Sequence, residues 1–316
     1  MATSDSTAVP DPTPPPQADG PSTSEAAALS PSRLVHWSVR RELWENRFIY
    51  VVPLIVAAVF LIAFTIGAAH VPLRQAGPRP VSAVHLLARA FDFASLVLML
   101  AYLIVAVIYC LGALHNERQD RSILFWKSLP VSDVTTVLAK ASIPLILLPL
   151  ITFLILAVTQ AIMLLMGSAV LLVRGGSVAE LWSQTPLLPM WAAMLYHLLT
   201  VHALYYAPIY GWLMLVSGWA RRAVFLWALL PVVAILIIER LIFNTSAFAH
   251  LLMARLEGGP AAIPFPPPPH GHMSMATPTL ANLGSFLISP GLWIGFAVCA
   301  VFLAAAIRLR RHQGPI

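Results

Sequence analysis

The residues with most scope for chemistry lie between positions 115 and 133, where an otherwise apolar chain turns polar: His115, Asn116, Glu117, Arg118, Gln119, Asp120 and Arg121 run in succession, followed by Ser122, Ile123, Leu124, Phe125, Trp126, Lys127, Ser128, Leu129, Pro130, Val131, Ser132 and Asp133. Alternating acids and bases of this kind are suited to docking against another charged surface rather than to bond cleavage. A phosphate-binding loop requires Gly-Lys-Ser/Thr, the lysine for the terminal phosphates and the hydroxyl for magnesium. The only lysines are Lys127, after Trp126, and Lys140, after Ala139, so the chain has no such loop. Zinc proteolysis through His-Glu-x-x-His is excluded as well, because no histidine is followed by glutamate. Ser285 beside Gly284 is the one serine with a suggestive neighbour, and it lacks an accompanying base. No catalytic residue is expected.

Other polar residues are more isolated. Glu239 and Arg240 stand between Ile238 and Leu241 near the end of an apolar run, where ionisable groups are costly unless paired or lining a wet path. They are candidates for a pathway or gate, the plainer alternative being a pair at the interface with Arg240 snorkelling. His197 and His202, five apart, do not share an α-helical face closely, and interhelical hydrogen bonding is their expected role. His270, His272, Met273 and Met275 follow a polyproline run and present donors that a soft metal ion accepts, although such a loop also serves as a plain spacer. Cys110 and Cys299 lie in apolar runs and read as small buried hydrophobes, without metal-ligand spacing.

The elements that must position these residues follow from composition. Of 316 residues, 59% are hydrophobic and 10% charged, against roughly 25% charged in a soluble domain. That is too little charge to coat a water-soluble surface. Apolar runs recur at the length of a bilayer crossing, about 20 helical residues, and predict six spans at about 48–69, 92–114, 142–172, 189–217, 223–243 and 286–307. The fold class is therefore an all-α polytopic membrane protein. Pro144 and Pro149 predict a kinked or interfacial start to the third span, and Pro208 a kink in the fourth. Residues 1–31, rich in Pro, Ser, Thr and Ala, are expected to be a disordered tail, with the permease-like core over 32–312 and an outer Pro-rich loop at 244–285. Within that loop, 246–257 has the pattern of a short helix ended by Gly258 and Gly259.

Six spans put both termini on one side, and basic residues choose the side. Segments on the terminal side carry Arg33, Arg40, Arg41, Arg47, Arg118, Arg121, Lys127, Lys140, Arg221, Arg222, Arg308, Arg310 and Arg311, whereas the other side has Arg74, Arg79, Arg89, Arg174, Arg240 and Arg255. Both termini are expected in the cytoplasm. The net charge of +6 is thus explained by topology and gives no reason to expect nucleic acid as a partner.

Ahead of the first span, Ser30 and Pro31 form an N-cap and first-turn pair for a helix over 31–47. On that helix Leu34, Trp37, Trp44 and Phe48 share a stripe, with Arg33, Arg40 and Arg47 recurring every seven residues beside it. This is the pattern of a helix lying in a membrane surface, its arginines toward anionic lipid headgroups. In the 116–130 connector, Pro130 predicts a stop and Ser132 a cap for the next helix, which leads to Lys140.

At this connector the chain resembles the ABC-2 family of ATP-binding-cassette transporter permeases. Glu117 and Arg118 stand at the family's Glu-Arg, Ser122 in the place of its Thr, Leu129-Pro130-Val131-Ser132 at its Leu/Thr-Pro-Val-Ser step, and Lys140 at its later lysine; Arg121 stands where many members have Gly. The run Arg40-Arg41-Glu42-Leu43-Trp44-Glu45-Asn46-Arg47 looks like the family's amphipathic entry helix. The resemblance of layout covers roughly residues 33–312. It implies a permease in a bacterial inner membrane, paired with a second permease copy and with separate ABC ATPase subunits. ATP and Mg would sit on those partners, and no cofactor on this chain. It also implies that the 116–130 connector is the coupling helix, with Glu117, Arg118, Asp120, Arg121, Phe125, Trp126 and Pro130 as the ATPase-coupling residues. The alternative left open by the residues themselves is a secondary transporter or a membrane scaffold without an ATPase.

Overall fold

The computed structural model describes residues 31–70, 83–128, 131–259 and 280–312. The tail, Ser30, Pro130 and the His270–Met275 motif lie outside the described residues. Among those described, every regular element is helical, and six helices are long and apolar enough to cross a membrane.

The entry helix α1 (Pro31–Glu45) is followed by the first span, α2 (Phe48–His70). The second span, α3 (Ala83–Gly112), begins nine residues before the hydropathy boundary. Its extra turns carry His85 and Arg89, which depress mean hydropathy, but Val84, Leu87 and Phe91 recur on one buried face and keep the helix going. The connector is not the continuous helix expected over 116–130. It consists of two short helices, α4 (His115–Gln119) and α5 (Ser122–Ser128). The break falls at Asp120 and Arg121, where Arg121 adopts a left-handed φ of 61° that glycine tolerates and arginine pays for in sterics.

The third span is a composite of α6 (Asp133–Ser142), a π-helical turn (Ile143–Leu147) and α7 (Leu148–Val173). Ser132 caps α6, its Oγ accepting from the Thr135 amide at 3.1 Å. Pro144 lies inside the π turn, so the kink anticipated from Pro144 takes the form of a widened turn. After α8 (Val178–Gln184), the fourth span runs through α9 (Leu187–His197) into a π segment (Leu198–Tyr205), breaks at Tyr206, and continues as α10 (Ala207–Trp219) with Pro208 in its first turn. The fifth span is α11 (Val224–Ile238) with a terminal π turn (Glu239–Phe243), and the short α12 (Ala247–Leu256) follows it, ending at Gly258 and Gly259, both with positive φ. The chain closes with α13 (Leu280–Ile288) and the sixth span, α14 (Pro290–His312).

Two buried clusters hold the spans together. The larger gathers Tyr102, Tyr109, Leu148, Leu198, Tyr210 and their neighbours from α3, α7 and the fourth span. The smaller, toward the other end of α3, packs Leu87 and Phe91 on Phe64, Met163 and Leu181. The helices α10 and α14 pack closely along their length. A Cβ added at Gly211 would lie 3.3 Å from the Cys299 Cα and 3.2 Å from its sulfur, so glycine lets the two backbones come nearer than a side chain ordinarily allows. Span five differs from the rest, with nearly all its side chains facing outward.

Candidate functional site

The connector does not hang free of the bundle. Its first helix is anchored by a buried ionic cluster to which four elements contribute. Glu117 on α4 is 5% exposed, and its Oε1 receives Lys140 Nζ from α6 at 3.1 Å and Arg41 Nη2 from α1 at 3.2 Å. Its second oxygen, Oε2, receives Arg310 Nη1 from the end of α14. Arg310 also donates its Nε to Asp133 Oδ1 of α6 at 3.0 Å. Beside this hub sits Glu42 of α1, 1% exposed, which accepts Lys140 Nζ at 2.7 Å, Arg41 Nη2 at 2.9 Å and the hydroxyl of Tyr109 at 3.0 Å.

The electrostatic logic is one of mutual necessity. Lys140, 2% exposed in an apolar helix, would be far too costly as an isolated charge. Two carboxylates answer it, and two arginines balance the carboxylates. Each remaining lone pair of Glu42 is then met by Tyr109 or Asn46, the latter at 3.3 Å. Arg41, Glu42, Tyr109, Asp133 and Arg310 are the members that sequence reasoning missed. The available signal was Lys140 itself, since a lone lysine within Val137-Leu138-Ala139-Lys140-Ala141 demands a buried acid somewhere.

Arg118, also buried, points elsewhere. Its Nη1 donates to the Gly218 carbonyl at 2.6 Å, at the end of α10, a favourable place for a cation because terminal carbonyls lack helical partners. The same helix end receives the amides of Leu114 and His115 on Ser217 Oγ, each at 3.0 Å. The connector base is therefore fixed to α1, α6, α10 and α14 together.

Glu117 and Arg118 thus spend their side chains inside the molecule, and the surface available to a partner lies beyond them. Asp120 and Arg121 are exposed. Asp120 Oδ1 accepts the Ser122 amide at 3.2 Å and its hydroxyl at 2.9 Å, which holds the turn into α5. On α5, Ile123 turns inward, 1% exposed, while Leu124 and Phe125 face out at 58% and 60%. Trp126 lies in the last turns of α5. A cleft of about 370 Å³ opens alongside, between Glu45 and Asn46 on one wall and Asn116, Asp120 and Ser122 on the other, with Glu117 and Lys140 at its floor.

On α1, Arg33, Trp37, Arg40 and Trp44 are exposed, and the Arg40 guanidinium sits 5.2 Å from the Trp37 ring and 5.4 Å from that of Trp44. Arg47 is exposed in the short turn between α1 and α2. Glu42 and Leu43 occupy the opposite side, so α1 presents a tryptophan–arginine face outward and an acid inward.

Two sequence expectations change. Glu239 does not pair with Arg240; its carboxylate accepts the Phe248 amide, 3.1 Å from each oxygen, and the Thr245 hydroxyl at 3.1 Å, and so caps α12. His197 and His202 do share a face, with ring centroids 5.1 Å apart. The reason is the π segment between them, whose i→i+5 bonding aligns residues five apart. Interhelical hydrogen bonding occurs there through the His202 carbonyl rather than its ring: Tyr102 and Tyr210 approach it at 3.2 and 2.9 Å.

At the opposite end, Arg255 of α12 reaches back into the bundle. Its Nη1 donates to the Tyr205 carbonyl at 3.1 Å, its Nη2 to that of Gly291 at 2.8 Å, and its guanidinium lies 4.1 Å from the Tyr205 ring centroid. Burial lowers its pKa from the ordinary guanidinium value.

Comparison with known proteins finds no matching family model, curated protein or solved structure.

Proposed function

We propose that this chain is the membrane permease subunit of an ABC-2 type exporter, driven by a separate ATPase that grips the α4–α5 connector. The observation that carries the reading is mechanical. An exposed, partly apolar helix, α5, stands on a base that one buried carboxylate, Glu117, ties to α1, α6 and α14. Force applied to α5 would pass through α4 into α1, α6, α10 and α14 at once, as a rigid-body push on spans three, four and six. The cleft beside Asp120 offers a place for a partner side chain.

In this reading ATP and Mg belong to the partner. Substrate passes between two copies of the chain, and the tryptophan–arginine face of α1 lies in the headgroup region of a bacterial inner membrane with both termini cytoplasmic. Leu124 and Phe125 take over as the principal gripping residues, with Asp120 and Arg121 shaping the turn that presents them.

Affinity purification of the tagged chain from its native membrane tests this directly. A stoichiometric Walker-type ATPase is expected with the unaltered chain and is expected to be lost with Leu124→Asp/Phe125→Asp, a change at two exposed positions. Reproducible recovery of the chain without any ATPase would refute the proposal and favour a secondary transporter or scaffold.

A further inference from the structure

The far end of α3 holds a carboxylate that the ionic cluster does not explain. Asp92 is 9% exposed, yet among the described residues no hydrogen bond or ion pair reaches it. Nearby donors are already committed. The Gln160 amide gives its hydrogens to the Phe91 carbonyl at 3.3 Å and Ser95 Oγ at 3.0 Å, Ser95 donates to the Phe91 carbonyl at 3.0 Å, and Trp191 Nε1 donates to Gln160 Oε1 at 2.9 Å. Arg89, one turn earlier, is exposed and makes no ion pair with Asp92. A polar network therefore closes on itself within one turn of an acid that it leaves out.

The position is informative too. Twenty residues separate Asp92 from Gly112, a rise of about 30 Å on a helix, which matches the roughly 30 Å of a hydrocarbon core. With the ionic cluster at one membrane boundary, Asp92 stands near the other. On either side of it in sequence, Phe91 packs on Phe64 with ring centroids 6.3 Å apart and Phe93 on Phe60 at 5.9 Å.

We propose that Asp92 is the counter-charge for an organic monocation with an apolar body, such as a protonated amine or a quaternary ammonium or phosphonium, bound at the end of the bundle away from the connector. A metal ion would want several hard ligands, and among the described residues no three His, Cys, Asp or Glu side chains gather to hold one. A lipophilic monocation needs a single charge partner within apolar and aromatic surroundings. The binding requires no ATPase and is read on the isolated chain, so it stands or falls separately from the proposed function.

The test is saturable binding of radiolabelled tetraphenylphosphonium to the purified full-length chain in lipid nanodiscs. The unaltered chain should bind, neutral triphenylphosphine oxide should compete poorly, Asp92→Asn should weaken binding at least about tenfold, or roughly 1.4 kcal/mol, and Asp92→Glu should recover most of it. Equal binding by Asp92→Asn, equal competition by the neutral compound, or no saturable binding at all would overturn the inference. Should Asp92→Asn fail to fold, the unaltered chain still decides: tetraphenylphosphonium should slow modification of Asp92 by a lipophilic carbodiimide, mapped by mass spectrometry, and an unchanged rate counts against the site.

Discussion

Each end of the bundle draws in an arginine, buried at the connector end and half-buried at the other, and the two ends treat it differently. At the connector end Arg310 meets two carboxylates, Glu117 and Asp133, within a cluster that also holds Arg41, Lys140 and Glu42. At the other end Arg255 meets only two carbonyls and a tyrosine ring. Opposite charges in a low-dielectric site hold strongly and become very costly when one is removed. Neutral acceptors hold more weakly and let go with less penalty. One end is built as a rigid junction of helices, and the other as a contact that fastens a short helix, α12, to spans four and six.

Substitutions at the junction should have the largest effect. Glu117→Gln leaves Lys140, Arg41 and Arg310 facing a neutral group in a buried site, and should cost about 3–5 kcal/mol, seen as a large fall in thermal unfolding temperature in detergent. Lys140→Met alone should be comparably harmful. If the cluster acts as one unit, the double variant Glu117→Gln/Lys140→Met should be clearly less damaging than the sum of the two singles, the sign of direct coupling. Strict additivity would mean that the two residues are independent.

The contrast sharpens with Arg255→Ala, which should cost about 1–3 kcal/mol and speed amide hydrogen exchange in α12 while leaving α4 and α6 unchanged. Arg255→Lys should not restore protection, since one ammonium lacks the planar fork that spans two carbonyls. Equal acceleration at both ends would show that the two regions are not separable.

How far the sequence reaches depends on the same contrast between local and distant causes. Spans were legible because hydropathy is a property of contiguous residues, and α1 because its stripe of Trp37 and Trp44 repeats within one helix. The early start of α3 was not, since its polar turns resemble a loop unless the buried face of Val84, Leu87 and Phe91 is seen against a neighbour. The ionic cluster was beyond reach: Lys140 finds Glu42 across 98 positions and Arg310 finds Glu117 across 193, and no local pattern encodes either pairing. Glu117 and Arg118 stand out in the sequence as charges, but only packing reveals that they face inward and leave Leu124 and Phe125 outside.

The smallest expected effect lies between the two connector helices. Arg121→Gly relieves a left-handed residue and should stabilise the chain by about 1 kcal/mol, measurable as a modest rise in unfolding temperature. A loss of stability would mean that the arginine side chain contributes more than its backbone costs.

The π segment at Leu198–Tyr205 gives span four an accounting of residues unlike that of an ordinary helix. One position in that stretch is, geometrically, surplus. Removing it would let the backbone relax to a regular α-helix while the helix beyond keeps its register, because the widened turn already absorbs the extra residue. Gly211 would still lie against Cys299. What would go is local: His197 and His202 would part, and the His202 carbonyl would draw back from Tyr102 and Tyr210. A shortened chain would thus keep its close packing and lose its polar knot.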